Sequence, residues 1–182
     1  MYLSNEKESK MNLIRPETSS DLAAIHAVNK QAFDNREAEP GLVNAIRNSE
    51  NFIPELSLVA EENGQIVGHI LFSCIHIETE DGQVPALALA PMAVLPEHQK
   101  QGIGSELVRR GLDESKRLGH AIVIVLGHTA YYPRFGFSAA LANSLECPFG
   151  DCGEAWMALE LIPDALQAVS GKVVYPSVFN GV

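Results

Sequence analysis

The chain predicts a single α/β (α+β) domain: a mixed, mainly antiparallel central sheet flanked by helices. Three observations carry that prediction. Long apolar runs are joined by "ENGQ" and "EDGQ", turn sequences that connect antiparallel neighbours. Apolar residues recur at helical spacing after Thr18, after Pro40 and after Gly102. A further apolar run, "AIVIVLG" (121–127), follows the last of these helices and reads as a central strand. The hairpin turns exclude parallel pairing in the first half, and with it a doubly wound sheet.

Taken in order, "NLIRPE" (12–17) suits a short first strand. "TSSDLAAIHAVNKQAF" opens with hydroxyl and carboxylate capping residues and places Leu22, Ile25, Val28, Ala32 and Phe33 near one face of a helix. Pro40 and Gly41 introduce a second helical pattern, with Leu42, Val43 and Ile46 inward. A meander of "LSLVAE", "IVGHILFSCIHIE" and "VPALALAPMAV" follows, with Asn63-Gly64 and Gly82 at its turns. Ile103, Leu107, Val108, Leu112 and Leu118 line one face of the next helix, and Gly119 is placed to end it. After "AIVIVLG", "TAYYPRF" reads as a short helix or turn and "GFSAA" as the start of a strand. "AWMALEL" reads as a late strand and "IPDALQAV" as a final helical turn.

Composition narrows the function classes. A length of 182 residues, 46% hydrophobic and 20% charged, is that of an ordinary globular domain. No apolar run reaches the roughly 18 to 20 residues that cross a bilayer. "MYLSNEKESK" lacks the apolar centre of a signal peptide, so residues 1–10 are expected to be a flexible leader to a domain spanning 11–182, in the cytoplasm. A net charge of −10 argues against a nucleic-acid surface and is compatible with cationic substrates. Cys74 reads as a small buried hydrophobe, and Cys147 and Cys152 flank a loop without the further ligands a zinc site needs. Neither a metal site nor a disulfide is expected from the three cysteines.

The stretch "PEHQKQGIGSELVRRGL" carries the chemistry. In a helix interior each glycine costs about 1 kcal/mol relative to alanine. Gly102 and Gly104 nevertheless stand where a loop becomes a helix. A helix N-terminus presents unsatisfied N–H groups and a partial positive charge, and glycine lets an anion approach them. The pair reads either as a phosphate cradle or as a tight turn packed close to the sheet. It is not a Walker A loop, because Ser105 follows Gly104 with no lysine between. It is not a dinucleotide fingerprint, which needs a third glycine and a preceding parallel strand.

Two motifs resemble a known family. "MAVLPEHQKQGIGSELV" is similar to motif A of the GNAT superfamily of acyl-CoA-dependent N-acetyltransferases, Gln/Arg-x-x-Gly-x-Gly/Ala, which Gln99, Gly102 and Gly104 fill. "YYPRFGF" resembles the Tyr-x-x-x-Gly-Phe segment of that family through Tyr132, Gly136 and Phe137. The likeness covers nearly all of the chain from about Asn12. The tail "SGKVVYPSVF" is similar to a bacterial subfamily of mostly uncharacterised predicted acetyltransferases.

The resemblance implies acetyl-CoA as co-substrate, held by Gln99, Lys100, Gln101, Gly102, Ile103, Gly104 and Ser105. The N–H groups of residues 101–105 then face the pyrophosphate. Met92, Ala93 and Val94 pair with the pantetheine arm as though it were an extra strand. Pro91, inside an apolar run, predicts a bulge that parts this strand from "AIVIVLG". The implied reaction is attack of a neutral amine on the thioester, with backbone N–H groups near Ala93 and Val94 polarising the carbonyl. Tyr132 is the implied general acid for the departing thiolate, and Tyr131 is read as a packing residue.

"ALALAPMAV" lacks the carboxylate that some members of the family carry on this strand. His76, Glu78, Glu37, Glu39, His128 and Glu154 remain as candidate bases, beside a water chain. Phe33, Asn35, Glu37, Glu39 and Phe52 are candidates for the acceptor pocket. The resemblance implies as acceptor a primary amine of a small molecule, peptide or protein. A non-catalytic acyl-CoA sensor is the alternative function, and the C-terminal segment offers a route to a homodimer.

Overall fold

A computed structural model describes residues 13–180. The expected leader, residues 1–10, lies outside them. The described residues build eight strands and three α-helices in one mixed sheet. The elements that position the site are β1 (Leu13–Pro16), α1 (Leu22–Ala32), α2 (Ala38–Arg47), β2 (Phe52–Glu62), β3 (Gln65–Thr79) and β4 (Gly82–Val94). They continue with α3 (Ile103–Arg117), β5 (Ile122–Leu126), β6 (Leu145–Glu146), β7 (Trp156–Glu160) and β8 (Gly171–Val174). The main path of the sheet is β1-β2-β3-β4-β5-β7, with β8 against β3 and β6.

Both predicted hairpins form. Asn63 and Gly64 take positive φ at the β2–β3 turn, and Gly82 does so at the β3–β4 turn. These are conformations that glycine and asparagine reach at least cost. The α3 helix then carries the chain across the sheet, so β5 joins β4 in parallel. Gly119, at φ +89°, ends α3 one residue after its C-cap Leu118, where it was expected.

The two faces of the sheet belong to different helices. A β-carbon on Gly111 of α3 would fall 2.2 Å from the Phe72 ring, so the even-numbered side chains of β3 face α3. His69 is bonded to Asn29 of α1, so the odd-numbered ones face α1. Leu42, Val43 and Ile46 of α2 join the same core.

The C-terminal third departs from expectation. Residues 136–140 form no strand; Ser138 makes a single antiparallel bridge to Ala158. "IPDALQAV" folds as a run of turns rather than a helical segment. The tail that follows supplies β8, which pairs with the far half of β3. Cys147 and Cys152 are joined in a disulfide, against the sequence expectation. Their five-residue separation gives no ligand spacing for a metal, but the turn between them folds the two sulfurs together.

Candidate active site

The strand β4 stays paired with β3 through Gly68↔Val94, whereas its pairing with β5 is confined to Leu87↔Val123 and Ala88↔Ile124. Beyond Ala88 the strands part, while β5 remains tied to β7 as far as Leu126↔Trp156. The cause is the bulge that Pro91 predicts. Phe72 pairs with Leu89 and Ile70 with Met92, leaving Ala90 and Pro91 together opposite Leu71. The result is a V-shaped opening between β4 and β5, bounded by Met92, Ala93 and Val94 on one arm and by the exposed Leu126 on the other.

The loop after β4 leads to the N-terminus of α3. Gln99 donates from Nε2 to the Val94 carbonyl at 3.0 Å, and Gln101 donates to the Glu97 carbonyl at 3.0 Å. Their amides hold the loop in shape, so what these two residues offer a ligand is backbone. Lys100 adopts φ +61° and Gly102 φ +92°, two left-handed residues that turn the chain into the helix. The first backbone bond of α3 runs from Glu106 N–H to the Gly102 carbonyl, 3.0 Å. The N–H groups of Ile103, Gly104 and Ser105 therefore have no acceptor within the helix, and no side chain caps them.

The two glycines do different work. Nothing lies within 4 Å of a β-carbon placed on Gly102; its requirement is the positive φ, and the space beside it is open. A β-carbon on Gly104 would stand 2.9 Å from Tyr131 Oη and 3.3 Å from Met92 Sδ. Tyr131 is thus a packing residue, as expected, and its hydroxyl is what Gly104 leaves room for.

Tyr132 heads the turn Tyr132–Phe135 after β5 and is 7% exposed. Its ring meets those of Tyr131 and Phe137 edge to face, at 5.2 and 5.6 Å. It also lies so close to Gly127 that a β-carbon there would be 2.3 Å from Cε2. Burial, with a smaller contribution from Tyr131, pushes the Tyr132 phenol above its usual range and keeps it protonated at neutral pH. Gly127 and Gly111 are requirements the sequence analysis did not single out. Their partners, Tyr132 and Phe72, are visible only once the chain is folded.

Residues 13–140 match the family described as "Acetyltransferase (GNAT) domain". The chain belongs to the GNAT acetyltransferase family. Over 169 residues it is 37% identical to the uncharacterized N-acetyltransferase YhbS of Escherichia coli K12, spanning 92% of this chain and 98% of that protein. The crystal structure of E. coli YhbS in complex with CoA superposes with a TM-score of 0.85 at 34% identity, over 93% of this chain and 92% of that one. A GNAT-family acetyltransferase from Brucella melitensis, in complex with acetyl-CoA, gives 0.76 at 33% identity, over 93% and 99%.

Within this GNAT fold the candidate bases are scattered. His76 and Glu78 stand 3.8 Å apart on the far half of β3, opposite Pro85 and Gln83, away from the opening. His128 is exposed on the loop after β5, and Glu154 is exposed in the single 3-10 turn Gly153–Ala155 before β7. Glu37 is exposed and engaged by Lys30 and by His26. Glu39 is buried on the inward side of α2. A second polar group, absent from the sequence reading, crosses the α1 face: Glu17, Arg47, Ser57, His69 and Asn29. Among the described residues no group of three or more His, Cys, Asp or Glu side chains is disposed to hold a metal ion. No described helix is long and apolar enough to cross a membrane.

Proposed function

We propose that the chain moves an acetyl group from acetyl-CoA to a primary amine by direct attack, with Tyr132 as general acid. The observation that carries this reading is the opening between β4 and β5 beside the uncapped start of α3. The residues present suit such a substrate. Three unpaired N–H groups with the helix dipole behind them match a diphosphate. The outward backbone of Met92 to Val94, unpaired with β5, matches an extended amide-containing arm.

In this reading residues 101–105 bind the pyrophosphate through their N–H groups, with Lys100 at the rim. Ile103 is buried and anchors the helix start to the core, and Ser105 supplies the last free N–H. Leu95 donates to Val67 across the β3–β4 ladder, so the N–H of Ala93 also faces β3 while that of Val94 faces the opening, where it meets the thioester carbonyl as this gains negative charge. Tyr132 holds its proton until the C–S bond breaks, then gives it to the thiolate. Two binding partners are named for comparison proteins, CoA for E. coli YhbS and acetyl-CoA for the Brucella enzyme, and they support the choice of donor.

The test is calorimetric titration with CoA followed by assay of free thiol from acetyl-CoA across a panel of primary amines. Binding with amine-dependent thiol release is expected. Tight binding with no release for any amine would favour an acyl-CoA sensor instead.

A further inference from the structure

The Cys147–Cys152 bond closes a loop between residues only five apart, and so short a loop restricts the unfolded chain less than a long one does. Its consequence is local. Both ends of the loop converge on Trp156, the buried first residue of β7. Before the loop, the Leu145 carbonyl of β6 accepts from the Trp156 indole N–H at 3.0 Å. After it, Cys152 caps the 3-10 turn Gly153–Ala155, which runs directly into Trp156. Between its ends the loop is lightly fastened. Gly150 and Gly153 take positive φ, Gly153 N–H donates to the exposed Asp151 Oδ1 at 3.2 Å, and the exposed Phe149 meets the Tyr175 ring edge to face at 5.0 Å. The two cysteines themselves pack against the core.

The turn that Cys152 caps reaches the candidate site. Its last residue, Ala155, accepts at its carbonyl from Gly127 N–H at 3.0 Å, one step beyond the final β5–β7 pair Leu126↔Trp156. Gly127 in turn is the surface on which Tyr132 lies, so near that a β-carbon there would be 2.3 Å from Cε2. A contact this close leaves the ring no freedom to ignore a displaced Gly127. The turn, the Ala155–Gly127 hydrogen bond and the Gly127–Tyr132 contact therefore form one continuous path from Cys152 to the phenol.

We infer that the Cys147–Cys152 disulfide is a positioning element for Tyr132, so that acetyl transfer runs faster with the bond closed and slows when a dithiol opens it. The inference rests on the reading of Tyr132 as general acid given above. In the opening step one thiolate of the dithiol attacks a cysteine sulfur, the Cys147–Cys152 bond breaks and a mixed disulfide forms. The second thiol of the reagent resolves it, leaving two cysteine thiols and the oxidised, cyclic reagent. Two electrons and two protons pass to the protein. Access for this exchange is good, because Phe149, Gly150, Asp151, Gly153 and Glu154 around the bond are exposed. Cys74 is a free thiol and takes no part.

The experiment compares the oxidised protein, the protein reduced with dithiothreitol, and Cys147→Ser/Cys152→Ser, which no dithiol can alter. Amide hydrogen exchange, calorimetry with acetyl-CoA, and acetyl-CoA consumption with n-hexylamine and with glycylglycine are measured for each. On reduction the Gly127 amide should exchange about tenfold faster or more, while Val123 and Ile124, paired on both sides, hold their rates. Acetyl-CoA affinity should not change, because the diphosphate is held at α3. The kcat is expected to fall about tenfold, with KM unaltered, as the acid loses its placement. Reoxidation should restore both, and the double variant should match the reduced protein. In Tyr132→Phe the oxidised and reduced forms should turn over equally slowly. Equal Gly127 exchange in the two forms would overturn the inference whatever the turnover. So would equal kcat in the two forms, or an undiminished redox effect in Tyr132→Phe. Full turnover by oxidised Tyr132→Phe, or none by the oxidised wild type, would fall on the acetyl-transfer reading instead, and Gly127 exchange would still decide whether the disulfide holds that residue.

Discussion

Tyr131 and Gly104 meet across the start of α3: the tyrosine hydroxyl lies 2.9 Å from where a β-carbon on the glycine would be. A real β-carbon does not tolerate that separation, so Gly104→Ala must displace either the ring or the helix start. In a helix interior the alanine itself is favoured by about 1 kcal/mol, so the melting temperature should change little. Affinity for CoA is expected to fall, because the displaced group moves toward the uncapped N–H groups. Tyr131→Phe removes the offending oxygen. Calorimetry should therefore show Gly104→Ala/Tyr131→Phe recovering most of the affinity lost in Gly104→Ala. No recovery would mean that the ligand, rather than Tyr131, needs the space.

Gly102 makes the opposite prediction. Its surroundings are empty, so Gly102→Ala is penalised only by holding alanine at φ +92°. That costs on the order of 1–2 kcal/mol. The melting temperature should drop by roughly 2 to 8 °C, about 2 to 4 °C for each kcal/mol in a protein of this size. CoA affinity should fall with it. Gly102→Asn should lose less of both, because asparagine enters this region more readily. Equal losses for alanine and asparagine would rule out the left-handed turn as the reason for a glycine here.

Tyr132→Phe separates chemistry from packing. The phenyl ring still fills the space against Gly127 and Phe137, so stability and CoA affinity should stay near those of wild type. The missing hydroxyl proton should lower kcat about 100-fold with a competent amine, in line with general-acid contributions. Full turnover by this variant would remove Tyr132 from the acid role.

The parts of this site that were legible in the sequence are those whose physical cause is local. Asn63-Gly64 and Gly82 signal turns because the backbone there must take positive φ. Pro91 signals a bulge because proline has no N–H for the ladder, and the β3–β4 register shifts at that point. The parts that were not legible depend on partners far along the chain. Nothing near Gly104 shows that Tyr131 will lie over it, and nothing near Gly111 announces Phe72. The Cys147–Cys152 bond depends on how the intervening turn folds. "GFSAA" has strand-like residues but meets the outer edge of β7 at Ser138 alone, because the chain enters a turn at Ala139. The polar group around His69 draws on the residue after β1 and on α1, α2, β2 and β3, five segments none of which looks unusual alone.

That polar group predicts how stability depends on pH. Ser57 donates its single hydroxyl proton to Glu17 Oε2, so the 3.0 Å contact between Ser57 Oγ and His69 Nε2 requires the histidine to donate. His69 Nδ1 is then bare and accepts from Asn29 Nδ2 at 3.1 Å. The ring is thereby held neutral in one tautomer. Burial drives its pKa below the usual value of 6.5; the nearby Glu17 opposes that shift and Arg47 adds to it. For a histidine with a depressed folded pKa, the unfolded chain takes up the proton first as pH falls. Stability is therefore full above about pH 6.5 and declines below it. Glu17 acts in a lower window. Burial alone would raise its pKa, but His69, 3.7 Å away, together with Arg47 and Ser57 outweighs burial and brings it from 4.5 down to about 2. Its contribution is present above pH 4.5 and is lost between there and about pH 2. Urea unfolding at a series of pH values should show two successive declines, the first beginning near pH 6.5. In His69→Gln the first decline should shrink while the second persists, shifted toward higher pH by the loss of the imidazole. A wild-type profile flat from pH 7 to pH 5 would show that His69 is not held neutral in the fold.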